Sequence, residues 1–330
     1  MVKLNGKIWE SFNSENSGLP YEGTVCLAVD LQDNLWIGSQ SGLIRYDGKD
    51  WKIFTGYGRL LTDPNYIEAI AVDNDYNVWV ATYGGLAEYN GIEWKVYNPD
   101  NSPLPSYGIY NIEIDGNNKW IGTEEGLVKF YNNYWEIFDT SNSGLPLYNR
   151  ISCSASDIYG NIWLATGQPS YVSRIMEGGG LTKFDGMNWT IYNRENSPLP
   201  SNDISALLVD NNSKIWIGTM PYYIANNELN TGGGLVCFDG ISWQVFNAEN
   251  SPLPSNAVNH LEIDSKKNIW ISTISQWIGN GKYTQGGIAV YNPDGVILSN
   301  KNNETTNPGS HYLPRIIPIR LILQQQFLTI

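Results

Sequence analysis

Histidine is almost absent from this chain: His260 and His311 are the two in 330 residues. No Ser-His-Asp or Cys-His set can be assembled from them, which removes the commonest nucleophilic machineries. Cysteine is scarce too. Cys26, Cys153 and Cys237 are scattered and odd in number, so neither a disulfide framework nor a thiolate metal site is indicated. Cys26 and Cys153 each stand four residues before an Asp and read as small buried apolar residues. Basic residues are in deficit, with 20 Lys and Arg against 33 Asp and Glu and a net charge of −13. That balance argues against nucleic acid and anionic membranes as partners. No run of about 18 apolar residues occurs, so no membrane-inserted helix is expected. Met1 to Phe12 lacks an apolar h-region, so no signal peptide is read there.

Tryptophan and glycine are abundant instead, at 13 and 33 residues, and their spacing supplies the reason. The stretch K-I-W-I-G-T, Lys214 to Thr219, has close copies around Trp36, Trp79, Trp120, Trp163 and Trp270. A period of this size marks a repeat architecture. One full unit runs from Ile204 to Asn256. It reads as strand Ile204 to Asp210, strand Lys214 to Thr219, strand Gly234 to Asp239, an Asp239-Gly240 turn, and strand Ser242 to Phe246. A polar connector follows. Gly-Leu opens the third strand at Gly42, Gly85, Gly126, Gly180 and Gly234, with Gly287-Ile288 in the last copy. Fourth-strand tryptophans stand at Trp51, Trp94, Trp135, Trp189 and Trp243, and N-S-[GP]-L-P connectors begin at Asn16, Asn101, Asn142, Asn196 and Asn250. Glycine allows close backbone approach, and each Trp fills space between units.

Short antiparallel strands in units of four, without helical periodicity, predict an all-β fold: a β-propeller of six four-stranded blades. A lone strand around Trp9 precedes the first unit, while the sixth unit lacks a fourth-strand Trp. Closure of the sixth blade by that N-terminal strand is the expected arrangement. The alternative lets Val296 to Ser299 serve as the fourth strand, leaving the Trp9 strand to a partial seventh blade. The expected organisation is one propeller over residues 1–299 and an irregular, disordered tail over 300–330.

The pattern W-I-G-T, G-L, D-G-x-x-W and N-S-x-L-P-S, from Trp9 to Tyr291, resembles the two-component regulator propeller repeat. The resemblance implies an extracytoplasmic or secreted location and a sensor-type role, since such repeats form the extracytoplasmic sensor part of hybrid histidine kinases. Some of those respond to glycan fragments, and kinase-less secreted proteins carry the repeats too. No kinase, receiver or helix-turn-helix segment is seen here, and the family offers no catalytic residues to carry over. The tail adds a second resemblance. Residues 314–330 can be back-translated so that a shifted frame spells Q-N-Y-P-N-P-F-N-P-A-T-T-I-S-Y-N, similar to a type IX secretion sorting domain. The expectation is a frameshifted sorting signal and a signal peptide once preceding Met1; the coding DNA decides it.

Two sets of candidate residues stand out from the scaffold. The strand 2–3 loop is short in the first three units and enlarged in the last three, over Gly167 to Gly179, Met220 to Gly233 and Ile274 to Gly286. These loops hold Tyr171, Tyr222, Tyr223, Asn226, Gln276, Trp277 and Tyr283. Aromatic rings beside amides and carboxylates suit a polyhydroxylated ligand or a protein surface; mutual packing of the loops is the plainer reading. The second set lies on first strands, where small residues give way to Asn111 and Glu113 in unit three and to His260 and Glu262 in unit six. Facing a central channel they could hold a cation or stand solvated. The recurring turn acids (Asp30, Asp73, Asp115, Asp157, Asp210, Asp264) read as Asx-type caps. D-N-D-Y-N at Asp73 lacks the Gly and distant Glu of a calcium loop.

The function expected from these features is non-catalytic binding of a glycan or protein by a monomer, with no cofactor and no metal. The alternatives are a propeller enzyme, a lyase or metal-dependent lactonase using Glu113 and Glu262, and a structural or adhesive surface protein.

Overall fold

The computed structural model describes residues 2–5, 8–20, 24–39, 42–54, 67–147, 149–167, 179–221, 223–224, 228–229, 232–275, 277–279, 282–292, 297–299 and 305–306. The regular elements among them are all strands, and six sheets are four-stranded and antiparallel: the blades of a six-bladed β-propeller. Blade 1 comprises Thr24–Val29, Leu35–Ser39, Gly42–Tyr46 and Trp51–Phe54; blade 2 Ile67–Val72, Val78–Thr82, Gly85–Tyr89 and Trp94–Tyr97. Blade 3 comprises Ile109–Asp115, Asn118–Thr123, Gly126–Tyr131 and Tyr134–Phe138; blade 4 Ile151–Ser156, Ile162–Thr166, Gly180–Phe184 and Trp189–Tyr192. Blade 5 comprises Ile204–Val209, Ile215–Thr219, Gly234–Phe238 and Trp243–Phe246; blade 6 Val258–Ile263, Ile269–Thr273, Gly287–Tyr291 and Ile297–Ser299. Blades 1 to 3 fall in one compact unit, Met1–Phe138, and blades 4 to 6 in another, Asp139–Leu313.

Closure of blade 6 by the Trp9 strand does not occur. Val290 pairs with Leu298, so blade 6 takes its fourth strand from the chain that follows it. The Trp9 strand, Ile8–Ser11, pairs with Val2–Asn5 in a two-stranded sheet of its own. Local hairpins close short loops and cost less chain entropy than recruiting a strand from the far end of the sequence. Phe12, just past that hairpin, still packs on blade 1, with its ring 5.7 Å from Trp51 and 6.0 Å from Tyr46. It occupies the place that Phe54 takes against Trp94 of blade 2.

Tryptophan does what its spacing implies. Second-strand Trp36, Trp79 and Trp216 are buried and lie against third-strand rings of the next blade: Tyr89, Phe130 and Tyr291, at 6.1, 5.6 and 4.6 Å. Fourth-strand Trp94 stacks on its own blade's Tyr89, Trp135 lies tilted against Phe130, and Trp243 stacks on Phe238. They also meet the preceding blade's Phe54, Tyr97 and Tyr192. Aromatic pairs therefore run from blade to blade, with some 0.5–1.5 kcal/mol each beyond area burial.

Five of the six second-strand tryptophans also donate a hydrogen bond to the turn acid, which gives that acid its purpose. Asp73 Oδ1 accepts from the backbone N–H groups of Asp75 and Asn77 at 3.0 and 2.9 Å. Its Oδ2 accepts from Asn77 Nδ2 at 3.1 Å and Trp79 Nε1 at 2.9 Å. The Asp–Trp bond recurs as Asp30–Trp36, Asp157–Trp163, Asp210–Trp216 and Asp264–Trp270, at 2.8 to 3.1 Å. The caps are thus Asx turns with an added clamp on the indole, and both Asp73 oxygens face N–H donors, which is no setting for calcium. Blade 3 departs from the pattern because Asp115–Asn118 is a tighter hairpin. Its Lys119 reaches back instead to Asp73 Oδ2 of blade 2, at 3.1 Å.

The connector motif is a self-bonded turn. In Asn98 to Leu104, Asn101 Oδ1 accepts from Asn98 N, Asn101 Nδ2 donates to Val96 O, and Ser102 Oγ donates to Asn98 O. The turn delivers a buried Leu: Leu19, Leu104, Leu145, Leu199 and Leu253. Gly-Leu has an equally local cause. Gly42, Gly85, Gly126, Gly180 and Gly234 have φ between +88° and +138°, where side chains are strained. The cysteines behave as apolar fillers: burial pushes the Cys153 thiol up to about 12 and that of Cys237 up to about 11, far from a reactive thiolate.

Thr305–Thr306, within the stretch expected to be irregular, pairs with Lys282–Tyr283. Residues 314–330, where the frameshift reading falls, lie outside the described residues.

Candidate functional site

The strand order places each 2–3 loop at the same end as the connector from the preceding blade, and hydrogen bonds fix that placement. The residue just past the second strand donates its N–H to the residue shortly before the first: Gly167 to Arg150 O, Met220 to Asp203 O and Ile274 to Ala257 O. Return to the third strand runs through glycines. Gly233, at φ +98°, lies so close to Asn256 O that a Cβ would stand 2.7 Å from it. Gly286 N donates to Ser275 Oγ at 3.4 Å, and Gly287 N to Thr273 Oγ1 at 3.0 Å. The enlarged loops of blades 5 and 6 thus leave and rejoin a rigid scaffold at pinned points.

Within those loops the chain forms two small hairpins. In blade 5, Tyr223–Ile224 pairs with Glu228–Leu229. In blade 6, Trp277–Gly279 pairs with Lys282–Tyr283, with Trp277 opposite Tyr283. The Glu228–Leu229 strand lies beside the Trp277–Gly279 strand, so the two hairpins are neighbours. Tyr223 belongs to the first hairpin, Trp277 and Tyr283 are cross-strand partners in the second, and Tyr283 is exposed. Tyr171, Tyr222, Asn226 and Gln276 lie outside the described residues.

The first-strand candidates occupy the second and fourth positions before the turn acid, as counted from the sequence. Asn111 pairs with Gly122 and Glu113 with Trp120, and both side chains are half-buried. His260 pairs with Ser272 and Glu262 with Trp270. His260 Nε2 stands 4.0 Å from Glu262 Oε2, an ion pair when the imidazole is protonated. Among the described residues, no group of three or more His, Cys, Asp and Glu side chains is placed to hold a metal ion.

A second aromatic group was not anticipated. Tyr83, at the start of blade 2's short 2–3 loop, meets Tyr110 of blade 3 with ring centroids 5.6 Å apart and planes at 79°. Glu124 holds the equivalent loop position in blade 3, and its N–H donates to Gly108 O. A side chain on a short loop gives no length signal, so only the change of residue after W-x-x-T could have pointed to it.

Comparison with known proteins agrees with this architecture. Residues 198–220 and 252–275 match the family model described as two component regulator propeller. Among solved structures, the extracellular domain of a hybrid two-component system from B. thetaiotaomicron is similar with a TM-score of 0.50 and 18% identity, over 88% of this chain and 46% of that one. Virginiamycin B lyase from Staphylococcus aureus gives 0.60 at 13% identity, over 86% of each chain. PorZ, a surface component of the type-IX secretion system of Porphyromonas gingivalis, gives 0.52 at 13%, over 82% of this chain and 40% of that one. This chain spans less than half of the first and last of these, and at such identities the likeness is one of fold. Comparison with curated proteins returns no match.

Proposed function

We propose that the chain is a non-catalytic, sensor-type binding propeller acting outside the cytoplasm, which holds a glycan on the loop end of blades 4 to 6. The observation that carries this reading is the side-by-side placement of the two added hairpins, with Trp277 opposite Tyr283. Cross-strand partners share one face of a hairpin, and adjacent aromatic positions on a rigid scaffold give a sugar ring an apolar platform with polar neighbours. The match to a two component regulator propeller model and the fold shared with an extracellular domain support the sensor character.

Replacing Tyr222, Tyr223 and Trp277 together with Ala is expected to abolish binding to an oligosaccharide array while leaving the circular dichroism spectrum unchanged. Full binding by the triple variant would refute the proposal. A protein ligand on the same face would appear as a silent array. The alternative enzyme reading, a lyase or metal-dependent lactonase using Glu113 and Glu262, requires catalytic turnover of a substrate, lost in Glu262→Gln.

A further inference from the structure

The Tyr83 group has a structural origin that separates it from the long loops. Every first strand carries a register shift near its start, between Ile67 and Ala69 in blade 2 and between Ile109 and Asn111 in blade 3. The extra residue is Glu68 in blade 2 and Tyr110 in blade 3, where Val25, Ser152, Ser205 and Asn259 stand in the others. A bulge bends the strand and re-aims that side chain. Here it brings Tyr110 against Tyr83 across the junction of two adjacent blades.

Beside this pair lies a carboxylate. A Cβ on Gly108 would stand 3.2 Å from the Tyr110 hydroxyl and 3.4 Å from Glu124 Oε2. Gly108, itself buried, therefore lies against both the phenol and the acid, where a side chain would crowd them. Tyr83 retains 38% of its surface and Tyr107, in the adjoining connector, 45%. Glu124 and Glu125 are exposed and Glu68 is half-buried. Residues 82–87, 98–110 and 121–128, which lie at this end of blades 2 and 3, contain no lysine or arginine. Rings nearly at right angles, a carboxylate at their side and an excess of acidic over basic residues among those described at this end make one chemistry fit best. A guanidinium stacks on an aromatic face and forks onto a carboxylate at the same time. A neutral sugar could stack on the rings but would leave the negative surplus in place.

We propose that Tyr83, Tyr110 and Glu124 form a docking site for an arginine side chain presented by a polypeptide partner. The site does not depend on the long-loop reading.

The test uses the full chain and a fluorescein-labelled Gly-Arg-Gly-Arg-Gly peptide, followed by anisotropy, beside the same peptide with citrulline for arginine. The arginine peptide should bind, and the citrulline peptide about ten-fold more weakly. Tyr83→Ala and Glu124→Gln should each weaken binding by about five- to ten-fold. Tyr83→Phe, which keeps the ring, should stay within about two-fold of the parent. Glu93→Gln removes an exposed acid from the opposite end of blade 2 and should change nothing. Equal weakening by Glu93→Gln and Glu124→Gln would overturn the proposal in favour of general attraction to an acidic chain. Equal binding of the citrulline peptide, or no binding of the arginine peptide, would overturn it as well.

Discussion

Asp73→Ala is expected to lower the unfolding free energy by about 3–5 kcal/mol, the cost of breaking a buried, charged hydrogen-bond network. Asp73 is 2% exposed and receives two backbone N–H groups, the Asn77 amide and the Trp79 indole. It also pairs with Lys119, whose side chain is 12% exposed. Removing the carboxylate strands the buried Trp79 indole and takes the acceptor from the part-buried turn N–H groups and from Lys119. Chemical denaturation measures the loss, and a drop below about 1 kcal/mol would mean that water replaces the clamp. Acid supplies a second readout of the same claim. Burial pushes the Asp73 carboxyl up, but bonds from Trp79, Asn77 and Lys119 outweigh it and hold the group below its ordinary 3.8. Asp157 and Asp264 are held low in the same way, by Trp163 with Asn161 and by Asn268 with Trp270. A carboxyl held low in the folded state contributes its full stability above the unfolded value near 3.8. Below that pH the unfolded chain binds protons first, so stability falls until the folded carboxyls protonate in turn. Asp73→Asn should flatten this acid limb.

Gly234→Ala should cost about 3 kcal/mol, combining left-handed strain with a backbone collision. The residue sits at φ +138°, and an added Cβ would press on the carbonyl oxygen of Phe246, the last residue of the fourth strand. Relief requires moving a strand that Trp243 holds by stacking on Phe238, 4.0 Å away. Gly48 separates the two causes. It has φ +94° with nothing within 4 Å of an added Cβ, so Gly48→Ala should carry the dihedral strain alone, about 1 kcal/mol. Equal losses at the two positions, by thermal or urea unfolding, would show that close approach is not what glycine supplies there.

Much of this fold was legible because the same packing problem is solved again in each blade. Trp36, Trp79 and Trp216 must reach both an aspartate and the next blade's ring, and Gly85 must pass under Tyr97 O; such demands leave a periodic trace. Blade 6 was misread where the trace stops. Ile297–Ser299 forms a fourth strand without the Trp that marks the others, because backbone pairing with Gly287–Tyr291 suffices. The Tyr83–Tyr110 pair escaped for a different reason. A bulge shifts side-chain alternation by one residue, so Tyr110 cannot be assigned to a face by counting. The long loops were conspicuous by length, yet length alone gave no sign that Glu228–Leu229 and Trp277–Gly279 lie side by side.

The account holds that regular parts build the propeller while irregular loops bind. The direct measurement is ligand binding by a chain whose blade 5 and blade 6 loops, residues 220–233 and 274–286, are cut back to the Glu124–Glu125 connection of blade 3. The oligosaccharide retained by the parent on the array should be lost, with the urea midpoint unchanged. Binding that survives the shortening, with the fold intact, would contradict the account.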